Sequence, residues 1–130
     1  MESKNGDKFT NNEEQAVMYE EIIALGVLIK SIGQVIETVG VTNLFLINED
    51  PSPGDKKVIT AVWLDTIGIF LQTIGVFEQV YGNNTKSILQ AQGIEITGVT
   101  IQSFALALEA AGGIQILQEE QLTEVMDFIP

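Results

Sequence analysis

The stretch LGVLIKSIGQVIETVG, residues 25–40, carries a glycine at every seventh position. Two later stretches, IGIFLQTIGVFEQVYG at 67–82 and TGVTIQSFALALEAAG at 97–112, repeat the pattern. Their small residues form three sets at seven-residue spacing: Gly26, Gly33 and Gly40; Gly68, Gly75 and Gly82; Gly98, Ala105 and Gly112. The chain therefore contains one unit repeated three times, and we expect each copy to adopt the same structure.

The residues around the glycines follow the period of an α-helix. With each glycine at position a of a heptad, positions d and g are mostly apolar and position f is mostly small. Position e is mostly polar and holds Lys30, Glu37, Gln72, Gln79, Gln102 and Glu109. Each copy is therefore predicted to be an amphipathic helix with glycines along one border of its apolar arc.

The repeated glycines predict close helix packing. Glycine inside a helix is about 1 kcal/mol less favourable than alanine, so a row of glycines needs a compensating gain. That gain is usually the close approach of a second helix backbone. We therefore predict that all the small residues of the three sets are helix-packing residues, with the partner helix in the same chain or in a second copy.

The chain of 130 residues suits a single domain. Residues 1–9 are predicted to be a disordered polar arm, and residues 10–130 a single helical-bundle domain. The predicted helices are three long ones and a short C-terminal one, at about 12–47, 55–81, 85–111 and 114–129. Because short connections join antiparallel neighbours, we predict an all-α antiparallel bundle of three long amphipathic helices plus the short fourth helix.

Residues 94–102 can be read in two ways. Apolar and polar residues alternate there, as in a strand, and glycines flank the stretch. Aligning Gly98 with Gly68, however, also aligns Ala91 with Ala61 in the preceding copy. Because a repeated unit should keep its structure, we predict that this stretch is helical.

The charge of the chain is strongly one-sided. Eighteen acidic residues against 6 lysines give a formal net charge of -12. A surface so acidic repels phosphate backbones and anionic lipids. We therefore expect no nucleic-acid partner, and a membrane partner is disfavoured.

No segment predicts a transmembrane helix or a secretory signal. Residues 22–47 are the most apolar stretch, but charged and amide side chains interrupt it from Lys30 onward. Residues 58–77 contain Asp65. A membrane span is expected to be a run of about 20 predominantly apolar residues, and the polar, acidic start of the chain is unlike a signal peptide. We therefore expect a cytoplasmic protein.

The chain lacks the residues that most catalysts use. It has no cysteine and no histidine, and its 6 basic residues are all lysines. Nucleophilic catalysis needs a nucleophile beside a base, and the glycine spacing does not match a phosphate-binding loop. The loop at 48–56 is similar to a calcium loop, but Pro53 and Ile59 replace its turn glycine and closing glutamate. We therefore predict no enzyme activity, no cofactor and no metal site.

Two phrases, IGQVIETVG at 32–40 and IGIFLQTIG at 67–75, resemble the repeats of a group of small, uncharacterised repetitive helical proteins from spore-forming Gram-positive bacteria. Those repeats read approximately W-I-x-A-I-G-x-x-x-x-A-I-G. The resemblance covers the three repeat blocks, and the chain departs from it at Ala105 and in the placement of its aromatic residues. It implies a helical fold and a bacterial origin, and it carries no activity.

These features predict a non-enzymatic helical interaction or scaffolding protein that associates with itself or with another helical protein. Two alternatives stay open. The apolar composition and the glycine rows also suit a membrane-active amphipathic helical protein. A helical bundle of this kind could also carry a small apolar ligand in its core.

Overall fold

The computed structural model describes the backbone of residues 3–129 and the side chains of residues 10–129. Nearly all of this part is helical, and the helices are α1 Ser3–Ile47, α2 Pro53–Tyr81 and α3 Thr85–Asp127. Residues 3–129 contain no strand. The predicted all-α fold with three long helices is therefore confirmed.

Short, well-specified connections join the helices. Ser52 accepts a hydrogen bond from the Asp55 amide, and the Asp55 carboxylate accepts one from the Ser52 amide, which is a reciprocal capping box at the start of α2. Gly82 ends α2 in extended backbone, and the Asn84 side chain caps α3. These caps end one helix and start the next within a few residues.

The third helix is longer than predicted. It runs unbroken through Gly112 and Gly113 to Asp127, so the short fourth helix predicted at 114–129 is wrong as a separate element. No glycine of the described chain has the positive φ with which a glycine usually ends a helix. Gly112 instead packs against α2, where a methyl group on it would lie 3.1 Å from the Gly54 carbonyl oxygen.

Two further predictions concern single segments. Residues 94–102 lie within α3 and are helical, so the prediction of helix over strand is confirmed. Met1 and Glu2, the first residues of the predicted polar arm, lie outside the described backbone. Helix α1 begins at Ser3, earlier than the predicted start.

Helix α2 lies between the other two helices. It packs antiparallel against α3 along most of its length, and against α1 on another side. In the part of the chain that the structure describes, the backbones of α1 and α3 do not approach each other. The hydrogen bond from Lys30 Nζ to Gln102 Oε1, 3.1 Å long, crosses the gap between them. The helices therefore leave an open groove between α1 and α3, with α2 as its floor.

The residues buried between the helices are mostly small or polar. The largest fully buried side chains of the described residues are Ile69 and Val62. The buried polar residues are Ser31, Gln34, Thr38, Asp65, Thr66 and Gln102. Large apolar side chains line the outside instead, with Ile36 69% and Phe104 67% exposed. A soluble domain has the reverse distribution, since its interior holds most of the large apolar side chains.

Candidate functional site

Small residues at heptad position a form the contact between α2 and α3. A methyl group on Gly68 would lie 2.8 Å from the Gly98 carbonyl oxygen, and one on Gly98 would lie 2.5 Å from the Gly68 carbonyl oxygen. Only hydrogen atoms fit into so little space, so the two helix backbones touch at this level. Close backbone contact of this kind is what rows of small residues allow.

The same register continues toward both ends of the contact. Gly54 lies opposite Gly112, and Gly75 lies opposite Ala91, where a methyl group on Gly75 would be 2.6 Å from the Ala91 carbonyl oxygen. Two buried alanines fill the level between Gly54 and Gly68. We call the complete row the small-residue seam: Gly54, Ala61, Gly68, Gly75, Ala91, Gly98, Ala105 and Gly112.

Three members of the seam, Gly54, Ala61 and Ala91, were not among the predicted packing residues. Gly54 follows a proline in an acidic segment, which indicates a loop, yet it lies in the first turn of α2 and is buried. The heptad register itself could have identified all three, because each lies seven residues before the next member of its row.

The remaining predicted packing glycines have other surroundings. A methyl group on Gly26, Gly33 or Gly40 of α1 would have no described atom of another residue's side chain or of another helix within 4 Å. We call this row the α1 glycine face. Gly82 lies where α2 ends, and the carbonyl group of Glu78 in its own helix blocks its methyl position. Within the described part of a single chain, no other helix therefore packs on the α1 glycine face.

Hydroxyl groups, rather than glycines, join α1 to α2. The hydroxyl oxygens of Thr38 and Thr66 are 2.7 Å apart, and those of Ser31 and Thr73 are 2.5 Å apart. Gln34 is buried between these two levels. Buried polar groups need such partners, so the pairs fix the register of α1 on α2.

Polar residues at heptad position e converge in the groove between α1 and α3. Lys30 Nζ donates to Gln102 Oε1 at 3.1 Å, and Gln102 Nε2 donates to Gln72 Oε1 at 2.9 Å. One heptad away, Gln79 Nε2 donates to Glu95 Oε2 at 2.5 Å. We call the full set the groove residues: Lys30, Glu37, Asp65, Gln72, Gln79, Glu95, Gln102 and Glu109. One chain of hydrogen bonds within this set links all three helices.

Three carboxylates gather at another level of the groove. Glu109 lies close enough to Glu37 and Asp65 for their charges to repel it, and Lys30 attracts Asp65 from nearby. Asp65 is 8% exposed. This carboxylate cluster therefore carries more negative charge than the single lysine of the groove offsets.

The outward faces of the middle segments carry no charge. Within 22–47, 58–77 and 88–117, every charged side chain is one of the groove residues. By length and composition, all three helices are apolar enough to cross a membrane. The sequence alone did not predict such helices, because Lys30 and Asp65 interrupt the apolar runs. In the fold these charges lie on the groove side and leave the outward surface without charge.

An apolar cleft of about 430 Å³ opens between α1 and α2, and Val39, Trp63 and Phe70 are among its lining residues. The Trp63 indole N–H donates to the Thr42 hydroxyl at 3.1 Å, beside the cleft. Residues 10–129 contain no group of three or more Asp and Glu side chains that could hold a metal ion. The cleft suits an apolar chain rather than a charged ligand.

Comparison with protein-family models, with curated protein sequences and with solved structures gives no match to this chain. The resemblance of its repeats to those of proteins from spore-forming bacteria stays a prediction.

Proposed function

We propose that this chain is a non-enzymatic scaffolding protein that is embedded in a membrane and associates with itself through its helices. The proposal joins the predicted scaffolding role to the membrane alternative. It assigns no reaction, because the groove and the seam position side chains for helix contacts rather than around a substrate.

The placement of charge is the observation that carries the proposal. The charged residues of the middle segments, all at position e, are Lys30, Glu37, Asp65, Glu95 and Glu109. Charges inside a membrane are tolerated where they face other helices and pair there, and they are expensive where they face lipid. The outward surface of exposed Ile, Leu, Val and Phe side chains is compatible with lipid, whereas in water it would be far larger than the usual apolar patch of a monomer.

The dimensions of the helices agree with this placement. The three segments without charge on their outward faces are 22–47, 58–77 and 88–117. Each has at least the roughly 20 residues needed to cross a hydrocarbon core of about 30 Å. Most of the acids flank these segments and include Glu13, Glu14, Glu20, Glu21, Glu119, Glu120, Glu124 and Asp127. The net charge of -12 is therefore concentrated near the helix ends, where it does not oppose burial of the middle.

A soluble, cytoplasmic scaffold is the competing proposal, and it follows from the net charge alone. It requires that further copies of the chain cover the apolar outward faces of all three helices. The packing within one chain would be the same in both cases, so the two proposals differ in what contacts the outside.

Cell fractionation separates the two proposals. We expect the expressed full chain to remain in the pellet after membranes are washed with alkaline sodium carbonate, and to float with lipid in a density gradient. Recovery of the chain in the carbonate supernatant, or in the cytosol before the wash, would support the soluble scaffold instead.

A pair of lysine substitutions sharpens this test. Ile74 is half exposed on the outward face of α2, whereas Gln72 lies two residues away in the groove. We expect Ile74→Lys to reduce the membrane-bound fraction, because the charge would face lipid, and Gln72→Lys to reduce it less, because that charge would face the polar groove. In a soluble protein Ile74→Lys would instead increase solubility.

The apolar cleft favours a second candidate function, the binding of a small apolar ligand. Native mass spectrometry of protein released from lipid nanodiscs tests it. A bound apolar molecule that is lost when Phe70→Asp fills the cleft with charge would support it. An unliganded mass for the unmodified chain would count against it.

A further inference from the structure

The α1 glycine face has no partner among the residues that the structure describes, although the equivalent rows of α2 and α3 are paired. Gly26, Gly33 and Gly40 belong to the same repeat as Gly68 and Gly98, which pack backbone to backbone. Gly33, at the middle of this face, is open to its surroundings in one chain. The contact between α2 and α3 therefore shows how two copies of this repeat pack together, while the copy in α1 has no such partner.

The α2–α3 contact defines the geometry of such a pairing. The helices are antiparallel, and position a of one faces position a of the other, as at Gly68 and Gly98. Position e follows position a by four residues in each helix, and the two e positions also face each other. Gln72 and Gln102, for example, are joined by a hydrogen bond of 2.9 Å. A partner for α1 that pairs in this way must complement Lys30 and Glu37, its two charged residues at position e.

We infer that the α1 glycine face binds the α1 glycine face of a second copy of the chain, antiparallel, with Gly26 opposite Gly33 of that copy. In this register, Lys30 lies opposite Glu37 of the second copy, and Glu37 lies opposite its Lys30. The interface is self-complementary, as a two-fold dimer requires.

Charge selects this register over its neighbours. If Gly33 faced Gly33 of the second copy, Glu37 would lie opposite another Glu37, and like charges opposed at an interface are unfavourable. If Gly33 faced Gly40 instead, Glu37 would lie opposite Leu44 and have no cation. Only the pairing of Gly26 with Gly33 gives both charges an opposite partner.

The carboxylate cluster supplies a second, independent reason for this partner. Asp65 is 8% exposed, and Glu109 lies close enough to both Asp65 and Glu37 for their charges to repel it. Lys30 of the same chain donates to Gln102, at a different level of the groove. The second copy's Lys30 would arrive at the level of Glu37, beside this cluster, and offset its excess charge.

The lysines near the helix ends permit an antiparallel dimer in a membrane. Such a dimer requires two copies in opposite orientations, and orientation follows the difference in lysine and arginine content between the two sides. Lys56 and Lys57 lie at one end of the bundle, and Lys86 lies at the other end. Lys4 and Lys8 belong to the start of α1, which is at the same end as Lys86. Neither end has a clear excess, so neither orientation is strongly favoured.

This inference rests on the self-association in the proposed function and names its surface. Sedimentation equilibrium of the full chain in a neutral detergent measures the dissociation constant of the dimer. The chains compared are the unmodified chain, Lys30→Glu, Glu37→Lys and the double exchange Lys30→Glu/Glu37→Lys.

We expect each single variant to weaken the dimer by about tenfold or more, because it opposes like charges twice, and the double exchange to restore it to within about threefold. The double exchange also lacks the contact from Lys30 to Gln102, so its recovery would not reflect that bond. Single variants that dimerise normally, or a double exchange no better than the singles, would overturn the inference.

A glycine pair provides the steric test in the same detergent. Gly33 and Gly93 both have open methyl positions within one chain, but only Gly33 lies on the α1 glycine face. We expect Gly33→Leu to abolish the dimer without lowering the melting temperature of the monomer, and Gly93→Leu to leave the dimer intact. Equal dimerisation of both variants would overturn the inference. If the chain still associated through another surface, the proposed scaffolding function would stand. If the charge variants behaved as predicted but the chain were released by carbonate, only the membrane location would be refuted.

Discussion

Gly98 lies so close to Gly68 that a methyl group on it would be 2.5 Å from the Gly68 carbonyl oxygen. No side chain fits between the two helices at this level, so α2 and α3 are held by direct contact of their backbones. Dispersion and weak Cα–H···O contacts act at such distances. The stability of this pair should therefore depend on the absence of a single carbon atom.

Adding that carbon atom is the first prediction. We expect Gly98→Ala to lower the free energy of unfolding by about 1–3 kcal/mol, because the methyl group meets backbone atoms that cannot move aside. Gly93→Ala, in the same helix, should leave stability unchanged or raise it by up to about 1 kcal/mol, since alanine is the better helix former. Thermal unfolding followed by circular dichroism in neutral detergent measures both. Equal effects of the two variants would mean that α2 and α3 do not meet at the seam.

The hydroxyl pair between α1 and α2 gives the second prediction. Thr38→Val keeps the shape of the side chain but removes the 2.7 Å contact with Thr66. We expect a loss of about 0.5–1.5 kcal/mol, in the range of polar contacts between membrane helices. Thr97→Val is the control, because the exposed Thr97 hydroxyl bonds only to the Gly93 carbonyl in its own helix. A Thr38 variant as stable as the control would show that α1 is not docked in the described register.

The hydrogen-bond chain of the groove gives the third prediction. Gln102→Leu removes the hydrogen-bond partner of both Lys30 and Gln72 and so breaks the chain of hydrogen bonds that links the three helices. We expect a loss of about 1–3 kcal/mol, because two hydrogen bonds are lost and one of them involves a charged group. Gln92→Leu, at an exposed position of the same helix, should have little effect. If Gln92→Leu proved the more damaging of the two, the groove would not be the polar interior of the fold.

The sequence predicted the three long helices, and the expected repeat was the main constraint in that prediction. Aligning Gly98 with Gly68 correctly made residues 94–102 helical, against their local alternation. The same reasoning did not extend to Gly112 and Gly113, which indicate a helix end by composition. They do not end α3, because the space opposite Gly112 is filled by the start of α2. A glycine can pack against a second helix or end its own helix, and which of the two occurs depends on the residues opposite it. A single sequence does not show which residues those are.

The candidate site was less predictable, for a related reason. Heptad position e was recognised as polar, and polar helix positions usually face water. In this fold the e positions of three helices turn toward one another, as the bonds from Lys30 to Gln102 and on to Gln72 show. The rotation of each helix about its axis decides whether its e positions face solvent or face the e positions of the other helices. The heptad pattern gives the angle between positions within a helix, but not the direction in which the helix faces its neighbours.

The central claim is that the outward faces contact lipid while the charged residues face the groove. It is tested most directly by nitroxide spin labels in liposomes, because the chain has no cysteine and accepts single labels. Ile96, 61% exposed in the middle of α3, and Glu124, exposed near its end, provide a matched pair on one helix. Collision rates with oxygen, which concentrates in the hydrocarbon core, are compared with those of a water-soluble nickel chelate. We predict that the label on Ile96→Cys collides with oxygen and is shielded from nickel, while the label on Glu124→Cys does the reverse. A label on Ile96→Cys that nickel reaches as readily as the label on Glu124→Cys would contradict the account.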